Sequence, residues 1–112
     1  MITPSLAQEI SQLEAELCFA LADPNRILML YALDEGPHNV TDIGTLLQIS
    51  QPTTSRHLKV LRERGLVRAE RRGTVIEYSL NDRRIIQALD LLRSVLRDRI
   101  VARASLMERS NP

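Results

Sequence analysis

Tryptophan is absent, and only Phe19, Tyr31 and Tyr78 supply aromatic rings among 112 residues. Aliphatic side chains must therefore fill a lean core, and long terminal helices buried in a dimer would remedy the shortage. Cysteine occurs once, at Cys18, which excludes an intramolecular disulfide and fits a reducing compartment. The four glycines form no Gly-rich phosphate loop, and Ser55 has no partnered base, so no enzyme is expected. No apolar run approaches the roughly 18 residues needed to cross a bilayer. The N-terminus also lacks the basic-then-apolar order of a signal peptide, and a cytoplasmic location is expected. Histidine occurs only at His38 and His57. A closed zinc site takes four ligands at tight spacing, so neither a metal nor a cofactor is expected.

The formal net charge of +1 hides a strong asymmetry. Residues 1–55 carry one cation, Arg26, against seven acids, whereas residues 56–84 carry nine cations against four acids. Such a distribution suits a protein that presents one basic surface to a polyanion.

That basic stretch begins inside the most informative segment, Ile49 to Val67. Ser50 can cap a helix, and Pro52 sits in the first turn, where its missing donor does least harm. Leu58 and Leu61 share a face with Thr54, while Gln51, Thr53, Ser55, Arg56 and Lys59 fall on other faces. Amides, hydroxyls and cations on the first two turns are the groups that hydrogen-bond base edges and phosphates. Gly65 ends this helix, expected over about residues 51–64.

The flanking segments give it a frame. Leu6, Ile10, Leu13, Leu17 and Leu21 recur at helical spacing, implying a first amphipathic helix of about five turns. Asp23-Pro24 opens a second, with Ile27, Leu28, Leu30, Tyr31 and Leu33 expected to be well buried, and Gly36-Pro37 stops it. Thr41-Asp42 opens a short third helix carrying Ile43, Leu46 and Leu47. The tight turn from Gln48 to Ser50 then makes a helix-turn-helix with the fourth. From Val67 to Leu80 the period becomes alternating around Arg71-Arg72-Gly73-Thr74, which predicts a hairpin, or wing, with a cationic tip. Asn81 or Asp82 is expected to cap a long last helix with a wide apolar stripe, and Arg109 to Pro112 to fray. The fold class is mainly α (α+β): four helices, a hairpin and a long helix, in a single domain over residues 1–112.

In this order and spacing the chain resembles the ArsR (arsenical-repressor-like) family of winged helix-turn-helix transcription regulators. The resemblance covers about residues 15 to 104. It rests on Leu21-Ala-Asp-Pro-Asn-Arg-Ile27, Ile49-Ser-Gln-Pro-Thr-Thr-Ser-Arg-His-Leu58, Leu61-Arg-Glu-Arg-Gly-Leu-Val67, and Arg71-Arg-Gly73 leading to Tyr78-Ser-Leu80. It implies a homodimer joined through the first and last helices and a repressor of double-stranded DNA at an inverted-repeat operator. It assigns base reading to Gln51, Ser55 and Arg56, backbone contacts to Thr53 and Lys59, and flanking contacts to Arg71 and Arg72. Thr54 stands where an apolar β-branched residue is usual, and Gly44 where alanine is more common.

The metal-sensing patterns of such regulators are missing. A Cys-x-Cys before the aspartate of the third helix is replaced by Asn39 and Thr41 before Asp42, and no histidine follows His57. Cys18 reads first as a small buried apolar residue. The sharper alternative pairs it with its symmetry mate as a thiol or soft-metal sensor, giving a repressor responsive to an oxidant or metal. His57 is expected to pack, or to meet backbone, at the helix-hairpin junction, and His38 to lie in a loop. A winged helix used for protein contacts is the rival function, since fold alone does not dictate function. Its mark would be an apolar patch where Arg56, Lys59 and the wing tip stand.

Overall fold

The computed structural model describes residues 1–110 and divides into two compact units, Met1–Asp82 and a helical unit from Arg83 onward. In the first unit Thr3 caps α1 (Pro4–Leu13), its hydroxyl accepting from the Leu6 amide at 3.1 Å. A π-helical turn, Glu14–Cys18, then leads into α2 (Phe19–Leu21). The uninterrupted amphipathic helix expected here is thus corrected: the Phe19 amide donates to Glu14 O, five residues back, and the register slips by one residue.

Asp23 caps α3 (Pro24–Asp34) through a 2.8 Å bond from the Asn25 amide. Helical spacing from Arg26 turns Met29, Leu30 and Leu33 inward. Leu28, expected in the core, is instead 49% exposed, and Met29 takes its place at 0%. After Gly36 the chain forms a two-residue strand, β1 (His38–Asn39), where a loop was expected. Asn39 then caps α4 (Val40–Leu47), accepting from the Asp42 amide at 2.8 Å, so this helix opens before Thr41. Ile43 and Gly44 are buried in α4, while Leu46 is exposed.

The α4 helix closes with Gln48 in the left-handed region (φ 57°) and a bond from the Ile49 amide back to Gly44 O. Ser50 caps α5 (Gln51–Glu63), whose inner face is Thr54, His57, Leu58 and Leu61. The helix ends at Gly65 (φ 77°), where the Leu66 amide returns to Leu61 O at 2.9 Å. Strands β2 (Val67–Arg72) and β3 (Val75–Leu80) form the hairpin, with Gly73 (φ 65°) first of two loop residues, as tight hairpin geometry requires. The sheet order is β1-β3-β2, all antiparallel, with His38 opposite Tyr78 and Val67 opposite Leu80.

The core of this unit is aliphatic: Ala20, Met29, Leu30, Leu33, Ile43, Leu58, Leu61, Leu66 and Val67. None of the three aromatic rings is buried in it. Asn81 donates its amide to Gly65 O at 2.9 Å, tying the end of β3 to the end of α5. The second unit is α6 (Arg84–Ser110), in which Ile86 and Leu89 are buried while Leu92, Val95, Leu96 and Ile100 stay more than half exposed. Helix continues through Ser110 where fraying was expected from Arg109, and Asn111 and Pro112 lie outside the described residues.

Candidate nucleic-acid interface

The outward face of α5 is built by its own cap and inner face. Ser50 Oγ accepts from the Thr53 amide at 3.3 Å and donates to Thr53 Oγ1 at 2.9 Å, so Thr53 is partly used in holding the helix start. Thr54 is fully buried, and its hydroxyl donates to Ser50 O at 2.8 Å. With Thr54, His57, Leu58 and Leu61 turned inward, Gln51, Ser55, Arg56 and Lys59 are left exposed. Lys59 lies 4.0 Å from Glu63 one turn on, an exposed pair of little strength. Among the described residues Arg56 makes no ion pair.

The corner before α5 is unusually close. A Cβ at Gly44 would lie 3.1 Å from Thr54 Oγ1 and 3.2 Å from Ile49 O. The two positions noted above as departures from the family pattern therefore meet each other in this corner.

The wing treats its two arginines differently. Arg72 Nε lies 2.8 Å from Glu77 and Nη2 3.6 Å from Glu70, while Arg68 also reaches Glu70 at 3.4 Å. Strand alternation puts these four charges on one face and Arg71 on the other. Among the described residues Arg71 makes no ion pair. Gln51 meets Thr74, Val75 and Ile76 of the wing, and Asn39 to Thr41, around a groove of about 320 Å³. The start of α5, the start of α4 and the wing thus share one concave surface.

Behind α5 lies a polar cluster that the sequence did not reveal. His57 is 9% exposed, with Nδ1 3.3 Å from Arg26 Nη1 and Nε2 3.9 Å from Asp23 Oδ1. A guanidinium has only donors, so this Nδ1 accepts and the ring proton sits on Nε2, facing Asp23. Arg26 also donates to Ala20 O at 2.7 Å and Phe19 O at 3.2 Å. The expected packing of His57 at the helix-hairpin junction is corrected accordingly: it faces the start of α3. Cys18, read first as buried, is exposed. Among the described residues no three His, Cys, Asp or Glu side chains are grouped to hold a metal ion.

Two helices joined by a tight turn, backed by a third and followed by a β-hairpin, define a winged helix-turn-helix. The model of the bacterial regulatory protein arsR family matches residues 23–69. The HTH-type transcriptional regulator NmtR of Mycobacterium tuberculosis is 44% identical over 71 residues, 63% of this chain and 59% of that protein. The transcriptional repressor BigR from Xylella fastidiosa superposes with a TM-score of 0.70 at 30% identity, covering 84% of this chain and 96% of that one. A homodimeric winged helix-turn-helix DNA-binding domain from Mycobacterium bovis gives 0.74 at 27% identity, covering 88% and 91%. The chain belongs to the arsR family of bacterial regulatory proteins, although its match to NmtR spans less than two thirds of that protein.

Proposed function

We propose that this protein binds double-stranded DNA sequence-specifically as a homodimer and represses transcription from an inverted-repeat operator. The observation that carries the reading is the exposed row Gln51, Ser55, Arg56 and Lys59, on a capped helix that shares a groove with the wing. Arg56 can take a guanine edge in bidentate fashion and Gln51 an adenine, each worth about 1–3 kcal/mol of discrimination. Thr53 and Lys59 would face the backbone. Arg71 would reach a flanking phosphate or the minor groove, with Arg72 a weaker contributor because Glu70 and Glu77 already hold it. Dimerisation is supported by exposed apolar rows on α1 (Leu6, Ile10, Leu13) and on α6 (Leu92, Val95, Leu96, Ile100), and by the homodimeric M. bovis domain. A two-fold pair of α5 helices would enter successive major grooves about 34 Å apart.

Fluorescence anisotropy on a palindromic duplex tests this directly. Affinity should fall steeply with salt, the logarithmic slope being about −0.9 per phosphate neutralised. A flat salt dependence would favour the protein-docking module instead. One observation, the exposure of Cys18, favours a thiol- or soft-metal-responsive version of the same repressor. Unchanged DNA affinity after alkylation of Cys18, with and without oxidant, would remove that version.

A further inference from the structure

We propose that Arg64 is a positioning residue for DNA binding, seating the recognition helix on the π-helical turn of the first helix without itself touching DNA. This rests on the reading of α5 as the recognition helix. In an α-helix the Phe19 amide would bond to Ala15 O. Here it bonds to Glu14 O, and Ala15 O accepts instead from Arg64 Nη1 at 3.2 Å, across 49 residues of sequence. The π turn supplies the acceptor, and Arg64, the C-terminal cap of α5, takes it.

The same guanidinium lies over the Phe19 ring, its Cζ 4.8 Å from the centroid, and Arg26 lies 5.8 Å from that centroid. Arg26 in turn links Phe19 O and Ala20 O to His57 in the middle of α5. Two arginines therefore fasten α5 at its middle and its end to one short stretch, residues 15–20. Only a planar fork can donate along its edge while stacking by its face, so lysine cannot replace it. Arg64 stands eight residues beyond Arg56, about 12 Å along the helix axis at 1.5 Å per residue. It governs the angle at which the reading face is presented. If the turn reverted to α-helical register, Ala15 O would return to Phe19 and Arg64 would be released.

The test compares the unaltered protein, Arg64→Gln and Arg64→Lys by anisotropy, across a salt series, on one duplex selected from a random pool by the unaltered protein. Thermal melts establish that each variant is folded at the assay temperature. Both variants should bind at least about 5-fold more weakly, a modest inter-site coupling, with the salt slope unchanged. Should Arg64→Gln fail to fold, Arg64→Met, which keeps an unbranched stem and also lacks the charge, takes its place in the slope comparison, and Arg64→Lys still reports the loss of affinity. Full affinity in a folded variant would overturn the positioning role. So would a slope shallower by about 0.9 in the variant that lacks the charge, since Arg64 would then be neutralising a phosphate itself. Salt-independent binding by the unaltered protein would instead overturn the DNA reading on which the proposal rests.

Discussion

Replacing Gly44 by alanine sets two effects of similar size against each other at the corner of the helix-turn-helix. Glycine inside a helix is about 1 kcal/mol worse than alanine, so propensity alone makes Gly44→Ala stabilising. The new Cβ, however, would stand 3.1 Å from Thr54 Oγ1 and 3.2 Å from Ile49 O, closer than ordinary van der Waals contact. Neither neighbour moves freely. Thr54 is fully buried with its hydroxyl bonded to Ser50 O at 2.8 Å, and the Ile49 amide is bonded back to Gly44 O at 3.0 Å. Overpacking of this kind costs about 1–3 kcal/mol, so the net change should lie between about zero and a loss of 2 kcal/mol. Thr54→Ala removes the hydroxyl but leaves Ile49 O in place, and in that background part of the helix-propensity gain should emerge. A double-mutant cycle by urea unfolding at one protein concentration should give a coupling of at least about 0.5 kcal/mol between the sites. A full gain of about 1 kcal/mol from Gly44→Ala alone, or coupling within about 0.3 kcal/mol of zero, would refute the steric argument.

Other expectations follow from single side chains. Arg71→Ala should weaken duplex binding and make the salt slope shallower by about 0.9, whereas Arg72→Ala should change the slope less; equal effects would mean the Glu70 and Glu77 contacts do not restrain Arg72. Gln48 pays for a left-handed backbone at φ 57°, and Gln48→Gly should raise stability by about 0.5–1 kcal/mol in thermal unfolding, with a loss contradicting the strain argument. Ser50→Ala should cost about 1 kcal/mol in the same assay and lower helicity; an unchanged melting curve would show the cap to be dispensable.

Local chemistry made much of this fold legible. Ser50, Pro52 and the spacing of Leu58 and Leu61 specify α5 within its own segment, and the structure begins the helix at Gln51. The alternation from Val67 to Leu80 likewise yields the wing. What escaped the sequence was set by distant partners or by register. The strand at His38–Asn39 exists because Tyr78 and Glu77 pair with it, about forty residues on, and nothing in two residues announces that. The π turn is a one-residue slip with no proline or glycine to mark it. Leu28 and Met29 are both apolar neighbours, and only the phase fixed by the α3 cap decides which is buried. The roles of His57 and Arg64 depend on Arg26 and Ala15, residues far away in the chain. Within the site, the exposed faces of Gln51, Ser55, Arg56 and Lys59 could be read from helical spacing. The difference between Arg71 and Arg72 could not, because it depends on the pairing of Glu70 with Glu77 across the hairpin.

That pairing gives the wing an internal competitor for anions. Because Arg72 already sits 2.8 Å from Glu77, an arriving phosphate would exchange one negative partner for another. Little counterion would be released in the exchange, and little sequence-independent affinity would be gained there. Glu77 would thus act as a brake on indiscriminate DNA binding, leaving discrimination to the face of α5 proposed to read bases.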